Sequence, residues 1–262
     1  METNHINANE PKLIPLHGRR AALRKRWLAL WPVTFALILY PVSNSILRIA
    51  VLGCLLLLWI GLLGFYWHKR VSRWLALGFP AVAAIFFILP GKPLQTESLR
   101  SDYIRSLEQY RGTRYVWGGE NQLGIDCSGL VRSGLIRANL HVGLYSFNST
   151  LLRRAAWLWW HDCSARTLGE GGEALTRDLF DAESINEVNA EELRPGDLAV
   201  TDDGVHVVAY LGGNRWIEAD PDLRRVIVLN TPSTNVWFNS PVKLVRWKQL
   251  EEDPNRRSKA GP

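Results

Sequence analysis

The feature that most constrains this chain is a set of three apolar runs in its first third: Trp27–Val42, Ile49–Trp67 and Trp74–Pro90. Each lies near or slightly under the length a helix needs to cross a bilayer core. Pro32 interrupts the first, a break that neighbouring helices can tolerate. Charge fixes the direction. Arg19, Arg20, Arg24, Lys25 and Arg26 precede the first run, and His68, Lys69, Arg70 and Arg73 fill the loop between the second and third. Basic clusters stay on the cytoplasmic side, and both clusters can do so only if two crossings separate them. The expectation is three transmembrane helices, a cytoplasmic N-terminus and an external domain after Lys92. Ser43-Asn44-Ser45 would lie outside, with Arg48 snorkelling to that interface. Trp27, Trp31, Trp67 and Trp74 would form an inner aromatic belt. A cleaved signal peptide fits poorly, because two more apolar runs follow the first.

The chain thus divides into a basic cytoplasmic segment over 1–26, a membrane domain over 27–92, a folded domain over 97–250 and a disordered tail over 251–262. Much of the net charge of +6 is topological, so it calls for no nucleic acid as a partner. The Cys and His spacings of a structural zinc site are missing, and no metal or other cofactor is expected. Cys54 sits inside the second run, facing lipid or a neighbouring helix.

The outer domain reads as helices first and strands after, an α+β class. Ser98–Tyr110 is amphipathic, with Leu99, Tyr103, Ile104 and Leu107 on one side. Leu130–Leu140 and Leu151–Trp160 read as helices, and Glu173–Phe180 as another short one. Trp157, Trp159 and Trp160 suit core packing, contact with the bilayer surface or a wall of a substrate groove. Gly169, Gly171 and Gly172 suggest a mobile loop and not a phosphate cradle, since no Lys-Ser/Thr signature follows. From Arg194 onward the chain alternates turns with short β-prone runs: Leu198–Thr201, Val205–Leu211, Arg215–Ala219, Arg225–Leu229 and Val242–Trp247. These predict a small, mostly antiparallel sheet.

Two places carry chemistry. Asp126-Cys127-Ser128-Gly129 opens the Leu130–Leu140 helix, where unpaired backbone N–H groups and the helix dipole favour a thiolate over a thiol. A cysteine taken alone is more often buried structure. The partner is His206, which begins a strand directly after the Asp202-Asp203-Gly204 hairpin turn. Period-two geometry puts it on one face with Val208 and Tyr210. The returning strand brings Glu218 alongside, a carboxylate able to orient the imidazole. Asp220 shares that face and is the alternative orienter.

Tyr115-x-Trp-Gly-Gly, Asp126-Cys-Ser-Gly-Leu-Val, Arg194-Pro-Gly-Asp-Leu and His206-Val-Val-Ala-Tyr-Leu-Gly, in that order, resemble the NlpC/P60 family of cysteine peptidases over residues 99–247. The resemblance implies a papain-like α+β fold. It implies hydrolysis of peptidoglycan stem peptides, mostly at γ-D-glutamyl–diaminopimelate bonds. Cys127 would be the nucleophile and His206 the general base. Tyr115 would hold substrate or oxyanion beside the nucleophile. Asp126 and Ser128 match positions that bind the free amino end of the stem peptide in some members, although Asp126 could equally cap the helix. The family usually has a histidine where this chain has Glu218; related cell-wall amidases of the CHAP type use Cys-His-Glu. The segment 141–190, which includes Cys163, is longer than the family usually shows. SH3-like wall-binding repeats, which many relatives carry upstream, are not seen here.

These features predict a membrane-anchored peptidoglycan endopeptidase with a Cys127–His206–Glu218 triad. Its domain would be periplasmic or extracellular, on a bacterial cell membrane. An amidase or acyltransferase on the same fold, and a non-catalytic wall-binding domain, are the alternatives. An intact Cys127, His206 and Glu218 argues against the last. The bond cut, any protein partner and the role of Cys163 are open at this level.

Overall fold

A computed structural model describes residues 16–93 and 96–251. The start of the basic N-terminal segment and nearly all of the 251–262 tail lie outside the described residues. The chain separates into two compact units. One runs to Ile38 and resumes over Ile49–Pro80; the other comprises Leu39–Arg48 and the chain from Ala81 onward.

The first unit is built from helices α1 (Leu16–Leu39), α2 (Ser45–Tyr66) and most of α3 (Arg70–Ile88). The indole N–H of Trp27 on α1 donates to the Leu58 carbonyl on α2 (3.1 Å), and that of Trp59 donates to the Ala76 carbonyl on α3 (2.8 Å). Among the described residues, α2 and α3 are long and apolar enough to cross a membrane, and α1 does not reach that mark. The reason is visible in its sequence: Arg19, Arg20, Arg24, Lys25 and Arg26 occupy its first turns, so only its second half is continuously apolar.

In the second unit, α4 (Thr96–Glu108), α5 (Cys127–Tyr145) and α6 (Ser149–Trp160) pack together on one face of a six-stranded antiparallel sheet. The strands are β3 (Thr176–Ala182), β4 (Leu198–Thr201), β5 (Val207–Gly212), β6 (Arg215–Asp220), β7 (Arg225–Asn230) and β8 (Val242–Trp247), in the order β3-β8-β4-β5-β6-β7. A two-stranded ribbon, β1 (Glu120–Asn121) with β2 (Gly124–Ile125), precedes α5, and the short α7 (Ala165–Gly169) lies between α6 and β3. Side chains alternate across the sheet as the pleat requires. Val207, Ala209, Leu211, Ile217 and Ala219 join the core under the helices, whereas Val208, Tyr210 and Trp216 join a second core with Ile185 and Phe238 on the other face.

Two readings of the sequence change. The segment read as a helix over Glu173–Phe180 is largely strand β3, paired with β8 from Thr176↔Trp247 to Ala182↔Val242, with a bulge between Asp178 and Phe180. This edge strand exposes Arg177, Asp178 and Asp181, so the alternation that marks a half-buried strand is weak and tertiary pairing decides. Arg48 does not reach for an interface. It is buried, donating to Glu120 Oε1 (2.8 Å), the Trp160 carbonyl (2.9 Å) and Ser43 Oγ (3.1 Å).

Candidate active site

Cys127 is the first residue of α5, and the helix start is built around it. Asp126 takes the extended conformation of a cap, with Oδ1 accepting the Gly129 N–H at 2.6 Å. Its other oxygen accepts the Gly118 N–H at 2.7 Å, and its own N–H donates to the Gly119 carbonyl at 3.2 Å. Gly118 has φ +71°, which only glycine adopts cheaply. A Cβ on Gly129 would lie 2.1 Å from the Gly119 carbonyl oxygen, so the turn and the helix start touch backbone to backbone. The Ser128 hydroxyl donates to Asp126 Oδ1 (3.1 Å). Asp126 therefore caps the helix, with both of its oxygens hydrogen-bonded to backbone N–H groups. Burial pushes its carboxyl above the usual range against the pull of those hydrogen bonds.

His206 immediately precedes β5. Its backbone is clamped by Thr201, whose Oγ1 accepts the His206 N–H (3.0 Å) and whose N–H donates to the His206 carbonyl (3.1 Å). The Thr201 hydroxyl also donates to Asp203 Oδ1 at 2.6 Å, fixing the intervening turn. The imidazole Nε2–H donates to Glu218 Oε2 at 2.6 Å, with both side chains buried. Cys127 is near enough to the ring to raise its pKa, and Cys127 Sγ lies 3.9 Å from the Val205 carbonyl oxygen. Burial alone would lower the His206 pKa, but Cys127 and Glu218 together overcome it and hold the ring up at about 9.

The register explains which carboxylate meets the ring. The β5–β6 ladder pairs Ala209 with Ile217 and Tyr210 with Trp216, which carries on to set Asp220, not Glu218, opposite His206. Asp220 is otherwise engaged: Oδ1 accepts the N–H groups of Asp222 (2.7 Å) and Leu223 (2.8 Å), and Oδ2 accepts from Asn235 Nδ2 (2.8 Å). Glu218 reaches diagonally, within the range of a long side chain on the same sheet face. Its second oxygen, Oε1, is buried with no hydrogen-bond partner among the described residues.

Tyr115 lies beside the same group. Burial first, then the neighbouring Cys127 and Asp126, drive its hydroxyl pKa upward, keeping it a donor. Trp237 was not singled out in the sequence. Its ring stacks on His206 with centroids 4.3 Å apart and planes 21° apart. Asn235 caps the short turn that carries it by accepting the Trp237 N–H (2.9 Å), so Asp220 supports the site through Asn235 and Trp237. The available signal was the Asn235 turn opening a Val-Trp-Phe run between two strands. Cys163 is buried in the core under the helices, and Cys54, Cys127 and Cys163 form no disulfide.

The site thus joins Cys127, His206, Glu218 and Tyr115, with Asp126 and Ser128 at the helix start. A thiol at a helix N-terminus, facing an imidazole that a buried carboxylate orients, is equipped for nucleophilic attack on an acyl group. The model of the NlpC/P60 family matches residues 112–246. No match is found among curated proteins. Among solved structures, the chain resembles the P60 domain of an antigen from M. avium subspecies paratuberculosis. That match has 20% identity and a TM-score of 0.39, covering 61% of this chain and all of that one. An NlpC/P60 family protein from Bacillus cereus matches at 17% identity and a TM-score of 0.38, covering 60% of this chain and 41% of that one. The peptidoglycan hydrolase RipB from Mycobacterium tuberculosis matches at 19% identity and a TM-score of 0.40, covering 70% of this chain and 91% of that one. The family match takes in more than half of the chain and spans Tyr115, the Cys127 helix start, His206 and Glu218; the chain belongs to the NlpC/P60 family.

Proposed function

We propose that this protein is a membrane-anchored cysteine peptidase that hydrolyses peptidoglycan stem peptides at a bond of the γ-D-glutamyl–diaminopimelate type. The Cys127 thiolate adds to the scissile carbonyl carbon. The Tyr115 hydroxyl and the N–H groups at the start of α5 face the developing oxyanion. His206, protonated at neutral pH, gives its Nδ1 proton to the leaving amine as the C–N bond breaks, leaving a thioester on Cys127. Water then attacks the thioester, giving a proton back to His206, and the C–S bond breaks to restore the thiolate. Glu218 holds the ring through Nε2 and stabilises the imidazolium in both halves. Asp126 and Ser128 support the helix start, with the stem-peptide amine as a further contact for Ser128.

The observation that carries this reading is the buried 2.6 Å bond from His206 to Glu218, on a ring whose pKa the nearby Cys127 also raises. The test is to incubate the full chain with defined muropeptides and identify the products by mass spectrometry. Cys127→Ala should abolish cleavage while leaving the melting temperature unchanged. Retained turnover in that variant would defeat the thiol mechanism.

Anchoring is supported by α2 and α3, which are long and apolar enough to span, and by the grouping of Leu39–Arg48 with the domain that follows α3. A segment before α2 and the chain after α3 then share one side, as a two-helix hairpin crossing and returning would give. The basic stretch over 19–26 favours α1 as a third span with a cytoplasmic N-terminus. Reporter fusions after Thr96 should be active outside and those at His68–Arg73 inside; an external signal from the 68–73 loop would overturn this topology.

A further inference from the structure

The family match begins at residue 112, yet the turn behind Cys127 is completed by residues far upstream. Leu39–Arg48, which takes in the α1–α2 connection and the first turn of α2, lies along the turn that runs through Gly118 and Gly119 into β1. Ser43 donates its N–H to the Gly118 carbonyl (3.0 Å), Glu120 donates its N–H to the Pro41 carbonyl (3.0 Å), and Val42 bridges Gly119 in antiparallel fashion. Asn121 Nδ2 donates to the Tyr40 carbonyl at 3.0 Å. The approach is close enough that a Cβ on Gly118 would come within 3.2 Å of Val42 Cγ1, and one on Gly124 within 3.0 Å of Pro41 Cβ.

The contact continues inward as charge. Arg48 and Arg132 are both buried and both bond Glu120 Oε1. Arg132 sits on α5, the helix that Cys127 opens, and it also donates to the carbonyls of Leu158 and His161 and pairs with Asp162. Two buried guanidinium groups sharing one carboxylate oxygen are held only while all three groups stay in place. The loop therefore reaches Cys127 by two routes. One runs from Ser43 through the Gly118 turn to Asp126 and the helix cap. The other runs from Arg48 through Glu120 to Arg132 on the helix itself.

We propose that the α1–α2 connection is a positioning element of the active site, with Arg48 and the Ser43 N–H holding the Gly118–Glu120 turn in the geometry that sets Asp126 and the start of α5. The chain that leads into the membrane helices would thus be part of what makes the thiol competent, beyond tethering the domain near its substrate. The inference rests on Cys127 being the nucleophile.

The test uses the full chain in detergent with a small soluble muropeptide, so that reach to an intact wall plays no part. Arg48→Ala removes the inner clamp, Ser43→Pro removes the N–H to Gly118, and Arg48→Lys keeps the charge. Three quantities are read: kcat and KM, the pH profile of Cys127 alkylation by iodoacetamide, and the melting temperature. Arg48→Ala and Ser43→Pro should each lower kcat at least tenfold, with KM within about twofold and a displaced alkylation profile. Arg48→Lys should recover part of the loss. Wild-type kcat and an unchanged alkylation profile in both variants would overturn the proposal. So would a loss of activity that only tracks the unfolded fraction, with turnover per folded molecule intact. Cys127→Ala separates the two levels. If it is inactive while the loop variants are fully active, this inference alone fails; if it stays active, the nucleophile assignment fails first.

Discussion

Two buried ion pairs in this fold are finished differently. Asp197, at the turn before β4, is closed on every side: Arg246 donates to Oδ1 through Nε and to Oδ2 through a terminal nitrogen, both at 2.6 Å, and the Arg194 N–H donates to Oδ2 at 2.8 Å. Glu218 meets His206 at the same 2.6 Å through one oxygen, while its other oxygen has no hydrogen-bond partner among the described residues. The Asp197 pair is bidentate and saturated, the geometry that fixes structure. In the other pair one member also interacts with the Cys127 thiol, and its pKa is raised to about 9. A saturated pair holds the sheet; an unsaturated pair beside a thiol is the arrangement expected of a proton-transfer site.

The largest effects should separate the pairs by kind. His206→Ala is expected to lower turnover per folded molecule by roughly three orders of magnitude or more, as losing one member of a catalytic unit does, and to lower the melting temperature as well, because Glu218 is left buried and unpaired. Arg246→Ala should lower the melting temperature alone. Leaving Asp197 buried and unpaired costs about 3–5 kcal/mol, while turnover per folded molecule changes little. Parallel melting curves and kcat measurements on the two variants decide. If both lose activity through unfolding alone, the distinction between the pairs collapses.

The same contrast governs what the sequence reveals. Cys127 at a helix start and His206 after a Gly-containing turn are legible because local rules place them: a cap residue, a hairpin and a period of two. The α5, α6 and α4 helices and strands β4 to β8 are legible for the same reason. Choosing Glu218 over Asp220 was not settled by period. Regular pairing favours Asp220, and the outcome depends on Asp220 being taken by the Asp222–Leu223 turn and Asn235. Trp237 is brought to His206 by a turn whose position only the folded sheet defines. Strand β3 escaped because its edge position leaves Arg177, Asp178 and Asp181 in solvent and blurs the alternation. Arg48 next to an apolar run reads as an interfacial cation; that it is buried against Glu120 depends on a residue 72 positions away.

A smaller effect sharpens the comparison at the pair itself. His206 has a folded pKa of about 9 against an ordinary value of 6.5, so the stabilisation from its partners is fully present below about pH 6.5 and fades as pH rises through about 9. Stability should therefore decline over that window in the wild-type protein. Glu218→Gln keeps the shape of the side chain and removes its charge. It should flatten the decline and reduce kcat by about 10- to 100-fold with little change in KM.

The most direct measurement is an NMR titration of the His206 ring protons in the full chain in detergent micelles, for the wild-type protein and for Glu218→Gln. A His206 pKa well above 6.5, near 9, is expected in the wild-type protein, with a marked fall toward the ordinary value once the Glu218 charge is gone. A ring that titrates near 6.5 in the wild-type protein, or one that Glu218→Gln leaves unmoved, would contradict the claim that Glu218 arms His206.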